Sequence, residues 1–133
     1  MTPWYHALSS AKKYGGDPED YIELHNWFDE TKVFTGDWTH RAMRHHAAGI
    51  EEAISKFGPF VLRSCGAKVP TKLVAEQHVV EDCGFIPTVA DWLRPLKGHP
   101  EPWMLKVKVK SKDLDLPESA PVTEETKARG SYD

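Results

Sequence analysis

Glycine and proline cut this 133-residue chain into segments of helical length. Pro18, Gly36, Gly58-Pro59, Pro70, Gly84 and Pro87 stand at the joints. Proline starts helices because its missing N–H is not needed there, and glycine stops them because it tolerates positive φ. Between the joints, apolar residues recur every three to four positions. Asp17 and Pro18 cap and open one helix, Glu19 and Asp20 suit its positive end, and Tyr21, Leu24, Trp27 and Phe28 line it as far as Val33 or Phe34. Gly36-Asp37 breaks and recaps the chain. A second helix is expected from Trp38 to Phe57, with Met43, Ala47, Ile50, Ile54 and Phe57 on its apolar side. A third runs from Pro70-Thr71 to Asp82 and ends at Gly84, and a short fourth covers Val89 to Leu93. Ser9 to Tyr14 is a helical turn closed by Gly15-Gly16. Phe60-Val61-Leu62 can pair with Val69 across a turn.

The expected architecture is mainly α: a single-domain helical bundle over residues 1–104, with a small β-hairpin at 59–70. An extended C-terminal tail follows over residues 105–133. The alternating stretch 104–110 can form an edge strand guarded by lysines. The Pro-, Glu-, Thr- and Ser-rich remainder cannot bury enough apolar surface to order itself. It would order only against a neighbouring chain, as in a homo-oligomer. A formal charge of −3 argues against bulk attraction to DNA or to an anionic membrane. No apolar run approaches the roughly 18 residues of a membrane span, and the N-terminus lacks the apolar stretch of a signal peptide. The expected compartment is the cytoplasm. There Cys65 and Cys83 are reduced structural thiols, and two cysteines cannot build a four-thiolate zinc site.

Seven histidines are the chemical feature to explain. His25 and Asp29 are four apart on the first long helix, and His78 and Asp82 repeat that spacing on the third. Residues four apart share a helix face. Such a pair has two uses. The carboxylate can orient the imidazole for acid–base work, or both groups can ligate zinc, manganese or iron. The bland alternative is a surface ion pair or a satisfied buried histidine. On the second helix, His40 and His46 flank the core face with Arg44 near His40, while His45 points outward. Candidate catalytic residues are His25, Asp29, His40, His46, His78 and Asp82, and His25, Asp29, His78 and Asp82 are the candidate metal ligands. Trp4, Tyr5, His6, Ser10, Lys12, Lys13, Arg41 and Arg44 are candidates for ligand binding. The aromatic residues would stack on a base, and the hydroxyls and cations would hold phosphate. His99 reads as a loop residue. HExxH, G-x-S-x-G, GxGxxG and an adjacent His-Asp pair are all missing.

Several segments carry a resemblance. They are Trp4–Lys13 (WYHALSSAKK), Leu24–Lys32 (LHNWFDETK), His40–His46 (HRAMRHH), Glu76–Asp82 (EQHVVED) and Pro100–Met104 (PEPWM). Together they resemble a family of small bacterial and phage proteins known only as a domain of unknown function. The likeness covers the body to about residue 104 and not the tail. It implies a bacterial or host-cell cytoplasmic setting. Because small phage proteins of this kind often counter host defence, it also implies a nucleotide immune signal as ligand.

Two classes of function stand at this point. One is a hydrolase of a phosphodiester or nucleotide, working either through a divalent metal or through paired histidines with Arg44 or Lys12 on the phosphate. The other is a non-catalytic protein that sequesters a nucleotide signal by aromatic stacking and cationic contacts. An inhibitor that binds a host protein is a third, blander reading.

Overall fold

A computed structural model describes residues 1–106 of the chain. Helix α1 spans Pro3–Tyr14, α2 Ile22–Asp29, α3 Lys32–Thr35, α4 Arg41–Arg44, α5 Ala47–Phe57, α6 Thr71–Cys83 and α7 Val89–Gly98. Strands β1 (Phe60–Leu62) and β2 (Lys68–Pro70) form an antiparallel hairpin in which Val61 faces Val69. The mainly α reading with one hairpin holds. The predicted strand at 104–110 meets a 3₁₀ turn over Pro102–Leu105 instead. Its remainder, and the tail expected to contact an oligomer partner, lie outside the described residues.

Contacts divide the chain into two compact units, Met1–Arg94 and a second beginning at Pro95. In the first, α1 packs on α2 and α5 packs on α6, and α6 also touches α1 and α2. Tyr21, Leu24, Phe28, Ile50, Ala53, Val69, Val74 and Val79 make its apolar core. Phe28 is fully buried, and burying such a ring contributes roughly 1.5–3 kcal/mol. No helix among the described residues is long and apolar enough to cross a membrane.

The ends follow local chemistry. Thr2 caps α1 by accepting the Tyr5 N–H, so the helix starts at Pro3 rather than at Ser9. Gly84 terminates α6 in the left-handed region, at φ 85°. The first long helix is less regular than its periodicity suggests. A 3₁₀ turn at Pro18–Asp20 precedes α2, and the chain breaks again before α3. The fourth helix continues past Pro95, where the missing N–H removes one backbone hydrogen bond.

The largest departure lies in the second predicted helix. A single rod from Trp38 to Phe57 is replaced by a 3₁₀ turn (Trp38–His40), α4 and α5. The chain bends at His46, whose backbone is extended at φ −164° and ψ 175°. His46 caps α5: its Nδ1 accepts the Gly49 N–H at 3.0 Å, and its Nε2 donates to the Met43 carbonyl at 3.1 Å. Gly49 makes the bend sterically feasible, since a Cβ there would stand 1.8 Å from the Arg44 carbonyl oxygen. The bend takes Met43 and Ala47 out of the expected apolar stripe and leaves both exposed. It also buries His45 completely, against the expectation of an outward side chain.

Candidate metal centre

Five histidines converge from separate elements. His6 comes from α1, His25 from α2, His40 from the 3₁₀ turn, His45 from the end of α4 and His78 from α6. All but His40 have no exposed surface, and His40 is 5% exposed. Asp29 and Asp82, from the C-terminal turns of α2 and α6, reach into the same space.

At the middle stand the Nε2 atoms of His45 and His78, 3.1 Å apart. Asp29 Oδ1 lies 3.3 Å from His45 Nε2 and 3.2 Å from His78 Nε2. Asp82 Oδ2 lies 3.0 and 3.3 Å from the same two atoms. His40 Nε2 approaches Asp29 Oδ1 at 3.2 Å, and His6 Nε2 approaches Asp82 Oδ1 at 3.1 Å. The Met1 amino group also comes within 3.4 Å of Asp82 Oδ1.

The outer hydrogen bonds decide where the ring protons are. His6 Nδ1 meets Glu81 Oε1 at 2.7 Å, and the carboxylate can only accept, so Nδ1 carries the proton. Glu81 is itself held by Ser9 Oγ at 2.5 Å and by the Gln77 amide at 3.0 Å. His40 Nδ1 likewise donates to the Asp37 carbonyl at 2.8 Å. Ser10 Oγ faces the acceptors Gln77 Oε1 and His6 O, so it takes the Nε2–H of His25 at 2.7 Å. Burial, with His78 and His6 beside it, pushes the His25 pKa down to about 2, so the ring is neutral and its Nδ1 accepts. His78 Nδ1 therefore donates to His25 Nδ1 across 2.8 Å. With their Nδ1 atoms donating outward, His6, His40 and His78 all turn Nε2 toward carboxylate oxygens, and each Nε2 that lacks a second proton presents a lone pair there.

Lone pair against lone pair is repulsive, and the remaining ring supplies one proton at that centre. Burial alone would lower the His45 pKa, but hydrogen bonds to Asp29 and Asp82 outweigh it and raise the value. Burial would raise the pKa of both aspartates, yet hydrogen bonds from the facing histidines hold them well below the usual carboxylate range, an effect that needs a proton or a cation between ring and carboxylate. Filling the other positions with protons would make three imidazolium rings of His6, His40 and His78, packed together beside His45, which like-charge repulsion opposes. A divalent cation answers the same need. Donors about 2.0–2.1 Å from a tetrahedral zinc ion stand roughly 3.3 Å apart, close to the separations seen here. Histidine nitrogen with carboxylate oxygen suits zinc, manganese or iron. The described residues offer groups that can hold a metal ion: His6, Asp29, His78 and Asp82; Asp29, His40 and His45; and His6, His25 and His78. The third competes with the hydrogen bonds just described, because it needs His25 or His78 to turn a different nitrogen inward.

Among the residues singled out from the sequence, the centre gathers His6, His25, Asp29, His40, His78 and Asp82, with Ser10 behind His25. The structure exchanges the neighbours His45 and His46: His45 is in the centre, and both nitrogens of His46 serve the α5 cap. Arg44 lies away from it, stacked 4.2 Å from the Trp27 ring and paired with Glu30 at 2.7 Å. Trp4, Tyr5, Lys12 and Lys13 are exposed on α1. Periodicity missed His45, Glu81 and Gln77. The EQHVVED spacing does place Glu81 and Asp82 one turn from His78, and Gln77 one turn from Glu81, which was the signal available for Glu81 and Gln77.

The centre opens on a cavity of about 360 Å³ lined by Asp29, Lys32, Trp38, His40, Arg41 and Asp82. Arg41, Trp38 and Asp82 also line a neighbouring cavity of about 370 Å³ beside Trp92. The Arg41 Nε is buried and has no hydrogen-bond partner among the described residues.

A family model described as "Domain of unknown function (DUF6915)" matches residues 1–104. No curated protein and no solved structure matches the chain.

Proposed function

The chain belongs to the DUF6915 family, a domain of unknown function, and from its histidine–aspartate centre we propose that it is a metal-dependent hydrolase of a phosphodiester or nucleotide. The observation that carries this reading is the set of four histidine Nε2 atoms facing two carboxylates beside an open cavity. A bound divalent cation lowers the pKa of water toward neutrality and offsets phosphate charge. The chain's own groups do the rest. Asp29, Asp82 and the histidines hold the ion. His25, Ser10, Asp37 and Glu81 fix the tautomers of the ligating rings. Arg41 and Lys32 offer positive charge to a phosphate entering the cavity, and a guanidinium suits two oxygens at once. Trp38, 60% exposed at the rim, offers a stacking face to a base. A cyclic nucleotide immune signal fits this chemistry.

Sequestration of the same ligand draws on the same Trp38 and Arg41, and one experiment separates the two. Protein purified without chelator is assayed for zinc, manganese and iron, then incubated with bis(p-nitrophenyl) phosphate and a panel of cyclic nucleotides. Hydrolysed product that vanishes on chelation and in Asp82→Asn supports the hydrolase. Intact nucleotide released by heating supports sequestration. Absence of metal, turnover and binding together would sink both.

A further inference from the structure

We propose that the centre is dinuclear, with Asp29 bridging two divalent cations. One ion is held by His6, His78 and Asp82, the other by His40 and His45. This rests on the metal reading above and adds a second site to it.

The first argument is donor number. A tetrahedral ion takes four protein ligands at most, and a six-coordinate manganese or iron ion that keeps a position open for water or substrate takes no more than five. Here His6, His40, His45, His78, Asp29 and Asp82 all present donors. The second argument is distance. Two ligands of one ion cannot lie further apart than about twice the 2.1 Å bond, roughly 4.2 Å. Apart from the group that would need His25 or His78 to turn, the mutually close donors fall into one set with His6 and another with His40, and Asp29 is the shared member. His6 reaches the centre through Asp82 Oδ1, while His40 reaches it through Asp29 Oδ1. A single ion placed for one histidine leaves the other facing a carboxylate with no cation between them.

The third argument is that the outer shell orients both histidines alike. Glu81 takes the Nδ1 proton of His6, and the Asp37 carbonyl takes that of His40. A carbonyl or carboxylate on the far nitrogen is the usual support of a metal-ligating imidazole. Two such supports, on different elements and aimed at different carboxylates, indicate two ligation points. Charge agrees: with neutral rings the two aspartates sum to −2, so one divalent ion only neutralises them. A second leaves a positive centre that attracts a phosphate, and paired ions about 3.5–4 Å apart clamp both oxygens of an in-line displacement.

The test uses the full chain, stripped of metal and titrated with Mn²⁺ alone. Free Mn²⁺ is followed by EPR, and bound metal is counted by elemental analysis. The expected result is two ions per chain with a spin-coupled spectrum. His40→Ala should retain one ion and lose the coupling, and His6→Ala should do the same from the other side. Circular dichroism verifies that each variant is folded, and the wild-type count stands on its own if either is not. Saturation at one ion per chain overturns the dinuclear centre but leaves the proposed hydrolase intact. Two uncoupled ions, or two coupled ions retained in folded His40→Ala, also overturn it. No bound Mn²⁺, with no zinc after reconstitution, overturns both.

Discussion

Helices α2 and α6 carry the same signature, a histidine followed four residues later by an aspartate, and the fold uses the two differently. On α6, His78 and Asp82 turn the same way, with Nε2 and Oδ2 3.3 Å apart. On α2 the partners separate. His25 points its Nδ1 at His78 and its Nε2 at Ser10, while Asp29 faces His40, His45 and His78. Spacing puts two side chains on one face of a helix, but the neighbouring elements decide which partner each one finds. Ser10 of α1 offers His25 a hydrogen-bond acceptor, and the bend after α4 offers Asp29 a better partner than its own helix does.

This difference predicts unequal effects from equivalent substitutions. The largest should come on α6: Asp82→Asn or His78→Ala removes a ligand of the ion that His6 also holds and should abolish retention of that ion through gel filtration, read by elemental analysis, leaving at most the one at Asp29, His40 and His45. On α2, His25→Gln should keep the metal site but loosen it. The expected cost is about 10- to 100-fold in metal affinity by competition with a chromophoric chelator, since tautomer control is weakened while the donors remain. If His25→Gln matches Asp82→Asn, His25 is itself a ligand and the contrast between the two pairs fails.

A pH test sharpens the contrast in the metal-free protein. The unfolded chain protonates His25 near pH 6.5, whereas the folded chain resists until about 2. The unfolded state therefore binds more protons between these values, and stability falls as pH drops below about 6.5, by up to roughly tenfold in the folding constant per unit. His45 has the opposite sign. Its raised pKa contributes stability that is complete below about 6.5 and is lost as pH rises through the folded value. Asp29 and Asp82, both depressed, contribute above about 3.8 and lose that contribution as pH falls through their folded values. Urea midpoints measured from pH 8 to 4 should show a shallower acid decline in His25→Gln than in the wild type.

Smaller effects belong outside the centre. Arg41→Ala should raise KM for a phosphoester several-fold with metal content unchanged, because Arg41 touches the cavity and not the donor set. Arg44→Ala should leave metal and turnover alone. It should cost about 1–3 kcal/mol in urea denaturation, the scale of a half-buried guanidinium that loses an ion pair, a cation–π contact and a hydrogen bond to the Trp27 carbonyl.

Much of the fold was legible because it is local. The hairpin, α6 with its Gly84 stop, and the inward faces of α2 and α6 follow from periodicity and from glycine and proline chemistry. The start of α1 was missed because its signal is small: Thr2, just ahead of Pro3, accepting the Tyr5 N–H. The break at His45–His46 was missed because apolar spacing carries through it. The bend depends on Gly49 admitting the Arg44 carbonyl and on His46 capping α5. These contacts exist only once the chain has turned.

The sequence by itself therefore determined a helical body, the inward faces of α2 and α6 and a surplus of histidine beside aspartate, since backbone period and capping act over a few residues. Tertiary structure decided the centre: that His45 and not His46 enters it, that His25 supports rather than faces the carboxylates, and that His6 and His40 approach from different elements. The physical reason is that a histidine's role depends on which nitrogen keeps the proton. Here that is decided by Glu81, Asp37 and Ser10, of which Glu81 lies 75 residues from the ring it orients and Ser10 lies 15.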